Sequence, residues 1–278
     1  MVKLIVTDID GTLVPNSTPY IPEPYFDEIR RLTDAGIVFV AASGRQENSV
    51  LNVFKPVLDR IYIISNNGSR LSKNGVPVYT KFIPRDIVES LTEELRAYNR
   101  SVATFDENGR RLIGPGTQGI DIMMATHDTQ YYFPEASEYA VDVTTNNYKF
   151  NTQPFPGYDV VPDVSKICCF RNERYPHPAI AFGKKYPQLD TVVAGPDWVD
   201  FGPGGVSKGT AVEFLQKELG ISREETIAFG DQENDTPMFR AAGCGYAVAN
   251  ASEVALAAAD KVIDSMQEDG VLKVLRTL

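Results

Sequence analysis

The chain has 278 residues, of which 43% are hydrophobic and 23% charged, fractions typical of a globular protein with one large or two moderate domains. Its formal net charge of −10 argues against binding to nucleic acid or to anionic membranes, because both need a basic patch. No apolar run approaches the roughly 20 residues of a membrane-spanning helix, and the first residues show no signal-peptide pattern. We therefore expect a cytoplasmic protein.

Short β-branched runs alternate with helical patterns at the start of the chain. The patterns predict strands at residues 2–7, 37–41 and 61–64 and helices at residues 23–35 and 45–55, with Ser43 as a candidate helix cap. Alternation of this kind predicts a parallel sheet with helices on both faces.

Between residues 84 and 202 the pattern changes. Pro, Tyr and Gly become frequent, and the segments at 102–105, 111–113, 167–170 and 198–201 look like strands of hairpins. We predict an α+β domain over 84–202, inserted into a core made of residues 1–83 and 203–278.

The alternating pattern returns after the insert. It predicts helices at residues 208–219 and 237–242 and strands at 226–229 and 246–249. The predicted fold is thus α/β, with a Rossmann-like, doubly wound parallel sheet as its core and the α+β domain inserted into it.

Polar clusters follow the ends of the predicted core strands. Asp8 and Asp10 follow the first strand, Ser43 and Gly44 the second, and Asp231 a later one. Because ligands bind outside the carboxyl ends of parallel strands, we expect these clusters to converge in one crevice. With 2 histidines in the chain, we expect its catalysis to depend on carboxylates.

Each cluster by itself has an ordinary structural explanation. The Asp-x-Asp-Gly peptide at Asp8 is typical of a turn, Ser43 of a helix cap, and Asp231 and Asp235 of caps for the next helix. The functional interpretation therefore depends on their convergence more than on any single motif.

Lys208 is harder to explain by local structure. It follows the candidate cap Ser207, in the first turn of a helix, where the helix dipole disfavours a cation. A phosphate held between Lys208 and the amides near Ser43, with Asp8 on its other side, would compensate that charge. Phosphoryl transfer also requires a divalent cation, and carboxylates such as Asp8 and Asp231 bind Mg²⁺.

Together these segments resemble the four motifs of the haloacid dehalogenase superfamily of phosphatases, and within it the Cof-like branch with a type IIB cap. The matching segments are Asp8-x-Asp10-Gly11-Thr12, Ser43-Gly44-Arg45, Ser207-Lys208-Gly209 and Gly230-Asp231-x-x-Asn234-Asp235-x-x-Met238.

The resemblance implies a role for each acidic residue. Asp8 would be the nucleophile that forms an aspartyl-phosphate, and Asp10 would be the general acid and base. One carboxylate attacks phosphorus while the other delivers a proton to the leaving oxygen, so the two aspartates divide the work. Asp8, Asp231 and the carbonyl oxygen of Asp10 would bind Mg²⁺, and Asp235 would support the metal site and the motif lysine.

The resemblance also implies how the substrate is held. Its phosphate would be bound by Ser43, Gly44, Lys208 and Asn234, and the inserted domain would be a mobile cap that excludes water and selects the substrate. The cap has no signature as specific as the core motifs. Candidates for substrate contacts there are Tyr131, Tyr132, Lys149 and Arg171.

We therefore predict a Mg²⁺-dependent phosphomonoester hydrolase that acts on a small phosphorylated metabolite, a sugar phosphate by family analogy. Two alternatives stay open at this point. One is a phosphotransferase or mutase of the same superfamily, because the four motifs do not separate it from a hydrolase. The other is a regulator that binds phosphometabolites without chemistry, which the presence of all the motif residues argues against. The motifs predict nothing about the oligomeric state.

Overall fold

The structure is a computed structural model that describes residues 1–16, 18–114, 117–147, 150–171, 177–193 and 197–278. The chain divides into two units, one formed by Met1–Thr80 with Val206–Leu278 and the other by Lys81–Gly205. The second unit is thus an insertion between two halves of the first. Within the described ranges, none of the helices combines the length and the apolar character needed to cross a membrane.

Strands and helices alternate along much of the chain. The strands are β1 (Leu4–Thr7), β2 (Val38–Ala42), β3 (Ile61–Ser65), β4 (Arg70–Lys73), β5 (Val76–Thr80), β6 (Asp121–Ala125), β7 (Gln130–Tyr132), β8 (Thr152–Pro154), β9 (Lys166–Phe170), β10 (Leu189–Val193), β11 (Trp198–Pro203), β12 (Thr226–Gly230), β13 (Cys244–Val248) and β14 (Lys261–Ile263). The helices are α1 (Glu23–Asp34), α2 (Glu47–Val53), α3 (Arg85–Val102), α4 (Glu138–Asp142), α5 (Ala179–Gly183), α6 (Lys208–Leu219), α7 (Thr236–Ala241), α8 (Glu253–Ala258) and α9 (Gly270–Leu275).

The sheet of the first unit has the strand order β14-β13-β12-β1-β2-β3-β4-β5. The strands from β14 to β3 are parallel, and β4 and β5 extend the sheet as an antiparallel hairpin. The chain leaves β1 towards β2 and returns on its other side at β12, so β1 lies at the topological switch point. The predicted doubly wound α/β fold is confirmed.

Strand β1 lies inside the sheet, between β12 and β2, and hydrophobic clusters cover both of its faces. Leu4 and Val6 pack in a cluster with Leu215 of α6, whereas Ile5 packs on the opposite face in a cluster with Ile29 of α1. Alternate side chains of a strand point to opposite faces, and a strand buried on both faces has a continuous apolar sequence. This packing fixes where β1 ends and its polar continuation begins.

The helix predicted at residues 45–55 starts later than expected, and Ser43 is not its cap. Helix α2 begins at Glu47. The backbone carbonyl of Arg45 accepts a hydrogen bond from the Asn66 amide at 2.9 Å, and the Ser43 hydroxyl accepts one from the Arg45 amide at 3.1 Å. These bonds hold the segment after β2 against the end of β3, so the chain cannot turn into the helix there.

The second unit contains a sheet with the strand order β10-β11-β9-β6-β7-β8, in which only the β7–β8 pair is parallel among the described strands. Helix α3 packs on it through a cluster that includes Leu91 and Leu95 from the helix and Ile122 and Ile167 from the sheet. The strands predicted at 167–170 and 198–201 correspond to β9 and β11 and are confirmed.

The strands predicted at 102–105 and 111–113 are wrong. Helix α3 continues to Val102, and one isolated bridge joins the two segments in place of a ladder. The side chain of Asn99 makes two hydrogen bonds with the backbone of Ile120. Its Nδ2 donates to the carbonyl oxygen at 2.7 Å, and its Oδ1 accepts from the amide at 2.8 Å. This pair of bonds anchors the last turns of α3, so contacts distant in sequence override the local strand preference.

Candidate active site

Polar segments follow four adjacent strands of the first sheet at the same edge. Asp8 follows β1, Ser43 follows β2, Asn66 follows β3 and Asp231 follows β12. These strands are parallel neighbours, so their carboxyl ends meet at that edge. The side chains of these segments are joined by hydrogen bonds, which define a candidate active site.

Lys208 lies at the centre of this site. Its Nζ is 2.6 Å from Oδ1 of Asp8 and 2.6 Å from Oδ1 of Asp235, and 1% of its side chain is exposed. Burial lowers the pKa of Lys208, but the two carboxylates outweigh it and hold the pKa above its ordinary value. The sequence predicted an anionic group beside Lys208, at the start of α6. In this structure two aspartates supply that negative charge.

Asp235 is buried and fully engaged by hydrogen bonds. Its Oδ1 accepts from Lys208, and its Oδ2 accepts from the backbone amides of Asp231 and Gln232, both at 2.9 Å. One carboxylate thus fixes both the ammonium group of Lys208 and the start of the loop that carries Asp231. A positioning function of Asp235 is consistent with this arrangement.

Asp231 is held by two side chains to which the sequence pattern assigned no role. Its Oδ1 accepts from the hydroxyl of Thr12 at 2.9 Å, and its Oδ2 accepts from the side-chain Nε2 of Gln232 at 2.8 Å. Burial, and then the charge of Asp235, raise the pKa of Asp231 to about 6. Thr12 lies inside the first motif, so its position was a signal for such a role, whereas Gln232 gave none.

The carboxylate of Asp8 is almost completely buried in a negative environment. Burial raises its pKa well above the ordinary value, Lys208 lowers it, and the carboxylates of Asp235, Asp231 and Asp10 raise it. The Oδ1 atom accepts from Lys208, while Oδ2 accepts no hydrogen bond from the described residues. Asp8 therefore keeps one oxygen available for a ligand.

This donor set fits a divalent cation such as Mg²⁺. Asp8, Asp231 and Asp235 each offer a carboxylate oxygen, and these oxygens lie within 4.8 Å of one another. The three buried carboxylates face one ammonium group, so negative charge is in excess, and hard cations prefer oxygen ligands. Asp235 accepts three hydrogen bonds, one of them from the ammonium group of Lys208, whereas Asp231 accepts one on each oxygen and Oδ2 of Asp8 accepts none from the described residues. Asp8 and Asp231 are therefore the better candidates for direct ligands.

Asp10 faces a different cation from Asp8. Arg45 donates to both of its oxygens, from Nε to Oδ2 at 2.7 Å and from Nη2 to Oδ1 at 2.6 Å. Nη2 of Arg45 also donates to the carbonyl of Thr18 at 3.0 Å. Arg45 belongs to the second motif, but its spacing from Asp10 gave no sign of this contact.

The predicted phosphate-binding residues Ser43 and Gly44 lie beside the loop after β3. A Cβ atom on Gly44 would lie 2.9 Å from Oδ1 of Asn67, so glycine permits this close approach. The same Asn67 oxygen accepts from Nδ2 of Asn234 at 3.0 Å, and Oδ1 of Asn234 is buried without a hydrogen-bond partner in the described part of the chain. An acceptor left open in this way suits a ligand that donates a hydrogen bond, such as a bound water.

Comparisons with known proteins place the chain among related sequences. A family model for haloacid dehalogenase-like hydrolases matches residues 5–275. A phosphoglycolate phosphatase of Methanoculleus marisnigri is 30% identical over 278 residues, which cover 99% of this chain and 96% of that protein. A 5-amino-6-(5-phospho-D-ribitylamino)uracil phosphatase of Escherichia coli is 26% identical over 274 residues, covering 99% of this chain and 95% of that protein.

The fold is also similar to that of a solved structure. A haloacid dehalogenase-like hydrolase of B. subtilis superposes with a TM-score of 0.81, and the match covers 99% of each chain at 24% sequence identity. At this identity the likeness shows the fold alone.

A substitution at Gly11 tests the close contact between the first motif and Asp231. A Cβ on Gly11, at φ +82°, would lie 2.3 Å from Oδ2 of Asp231, whereas one on Gly36, at φ +86°, would meet nothing within 4 Å. Both alanine variants take on the strain of a left-handed backbone, about 1–2 kcal/mol, but only Gly11→Ala displaces Asp231. We expect Gly11→Ala to lower kcat/KM about 100-fold and Gly36→Ala to leave it unchanged, measured by phosphate release. Equal losses in the two variants would contradict this interpretation.

Proposed function

From the family to which the chain belongs, the haloacid dehalogenase-like hydrolases, we infer its reaction. The chain is a phosphatase of that family, as the sequence predicted. We propose that it hydrolyses phosphomonoesters of small metabolites in the presence of Mg²⁺, through an aspartyl-phosphate formed on Asp8.

The observation that supports this proposal most is the buried ion pair between Lys208 and Asp8. An ammonium group has three N–H donors, and two of those of Lys208 go to Asp8 and Asp235. The third can bind an oxygen of the substrate phosphate. The hydroxyl of Ser43 is the group of that residue proposed to bind the phosphate, because its amide donates to the carbonyl of Ile64 at 2.8 Å. Lys208 thereby brings the phosphate to the carboxylate that attacks it.

In the first step the free oxygen of Asp8 attacks phosphorus, and the bond between phosphorus and the leaving oxygen breaks. Asp10 gives its proton to that oxygen, so an alcohol leaves and Asp8 carries the phosphoryl group. In the second step Asp10 takes a proton from water, which attacks phosphorus and releases inorganic phosphate. Asp8 is then a carboxylate again and Asp10 has regained its proton.

The metal would be bound by Asp8, Asp231 and the carbonyl oxygen of Asp10, and when bound it neutralises charge on the transferring phosphoryl group. Asp235 orients Lys208 and the amides of the Asp231 loop. Asn234 has its Nδ2 engaged with Asn67, so its open Oδ1 would accept a hydrogen bond from water beside the phosphate.

Asp8→Asn tests the nucleophile. The amide cannot attack phosphorus, so we expect phosphate release to fall by at least about 10⁴-fold and acid-quenched samples to contain no phosphoenzyme. Asp34→Asn is the matched control, because Asp34 is an exposed aspartate of the same unit and its replacement should leave turnover unchanged. Residual activity of Asp8→Asn within about tenfold of the wild type would exclude Asp8 as the nucleophile.

Thermal unfolding tests the metal separately from turnover. A cation that binds the folded protein at 100 times its Kd stabilises it by about 2.7 kcal/mol, so Mg²⁺ should raise the Tm of the wild type. Asp231→Asn removes one proposed ligand and should abolish most of this rise. Chelation should stop phosphate release and added Mg²⁺ restore it. Full turnover in excess chelator would remove Mg²⁺ from the proposal, and the same rise in Tm with Asp231→Asn would remove Asp231 as its ligand.

We assign substrate selection to the second unit, Lys81–Gly205, as a cap. The relatives above are named for phosphoglycolate and for a phosphoribitylamino-uracil, which are small phosphomonoesters. Of the candidate selecting residues, Tyr131 and Tyr132 lie on or at the end of β7 and Arg171 directly follows β9. Lys149 lies outside the described residues.

A phosphate-release assay over sugar phosphates, nucleotides and cofactor phosphates, with Mg²⁺ present, tests the substrate class. We expect the highest kcat/KM for a sugar phosphate, with inorganic phosphate released in the same amount as the alcohol. Preference for a nucleotide would contradict the substrate class. Transfer of the phosphoryl group to a second sugar, in place of release, would instead indicate a phosphotransferase.

A further inference from the structure

The guanidinium group of Arg45 is buried against the carboxylate of Asp10. Only 3% of the Arg45 side chain is exposed, compared with 22% of that of Asp10. The contact is bidentate, with one nitrogen of the guanidinium on each carboxylate oxygen, at 2.7 and 2.6 Å. A planar fork of this kind fixes the orientation of a carboxylate as well as binding it.

We propose that Arg45 is a positioning residue that orients Asp10 for the two proton transfers of the reaction, an inference that rests on the function proposed for this site. Asp10 lies in the loop after β1. By donating to both of its oxygens, Arg45 favours one orientation of the carboxylate.

Arg45 is itself held on two sides. Its backbone amide donates to the hydroxyl of Ser43 at 3.1 Å, and its carbonyl accepts from the amide of Asn66 at 2.9 Å. Its Nη2 reaches the carbonyl of Thr18 at 3.0 Å. The orientation of Asp10 is therefore tied to the ends of β2 and β3 and to the loop that follows Asp10 along the chain.

The two aspartates of the first motif face separate cations, which supports separate roles for them. Asp8 is bound by Lys208, whereas Asp10 is bound by Arg45. An ionised carboxylate has about four lone-pair sites, and a bidentate arginine occupies two. Asp10 is also partly exposed, so a substrate or a water can approach its carboxylate while Arg45 keeps its plane fixed.

The first unit offers a matched control for the structural effect of losing such a pair. Arg70 donates to Glu47 at 2.6 Å, with 10% and 4% of the two side chains exposed, and also to the hydroxyl of Thr80. Removing either arginine takes a buried guanidinium away from a carboxylate to which it donates, which costs stability by the same mechanism. The carboxylate of Glu47 has no part in the proposed reaction.

The test is a double-mutant cycle with Arg45→Met, Asp10→Asn and the double variant, each assayed with an alkyl phosphate and with 4-nitrophenyl phosphate. If Arg45 acts through Asp10, Arg45→Met lowers kcat/KM for the alkyl phosphate about 10- to 100-fold. The loss is smaller for the aryl phosphate, because its leaving group needs little protonation. In the Asp10→Asn background, Arg45→Met has an effect of no more than about twofold.

Three further variants make the outcome unambiguous. Arg45→Lys restores the charge without the fork and should give an intermediate loss. Arg70→Met should lower the free energy of unfolding to a similar degree. It should, however, change kcat/KM for the alkyl and the aryl phosphate by the same factor. Equal losses from Arg45→Met in the wild-type and Asp10→Asn backgrounds would overturn the inference. Activity retained by Asp8→Asn in the same assays would instead overturn the proposed reaction itself.

Discussion

The candidate site depends on the burial of one ammonium group between two carboxylates. A lysine as buried as Lys208 is stable in the folded protein only if its charge is compensated by close, well-oriented partners. Asp8 and Asp235 provide these at 2.6 Å each. The start of α6, the end of β1 and the loop after β12 must therefore keep one relative arrangement, which is the arrangement proposed to hold a phosphate.

The second constraint is an excess of negative charge. Asp8, Asp231 and Asp235 share one buried region with a single ammonium group. Burial raises the pKa values of Asp8 and Asp231, and the neighbouring carboxylates raise them further. The carboxylates would stabilise a bound divalent cation, and the ammonium group of Lys208 would stabilise an oxygen of a bound phosphate. Asp10 contributes to this environment but is itself bound by Arg45, so neighbouring aspartates have different partners.

The two units have separate hydrophobic cores. The clusters around β1 contain residues of the first unit alone, and the clusters around β6 and β9 contain residues of the second alone. The described contacts of Lys208, Asp8 and Asp235 therefore lie within the first unit, and the second unit has hydrophobic clusters of its own. This independence lets the inserted unit vary without disturbing the contact between Lys208 and Asp8.

The sequence by itself determined the α/β fold, because buried β-branched runs alternating with helical patterns have few other solutions. It also placed Asp8, Ser43 and Asp231 at one sheet edge, since parallel strands share their carboxyl ends. Tertiary structure alone decided that Asp10 pairs with Arg45, that Asn67 pairs with Asn234, and that one isolated bridge takes the place of the hairpin predicted after α3. These outcomes depend on side-chain distances between segments far apart in the chain, and hydrophobic periodicity and motif spacing hold no information about such distances.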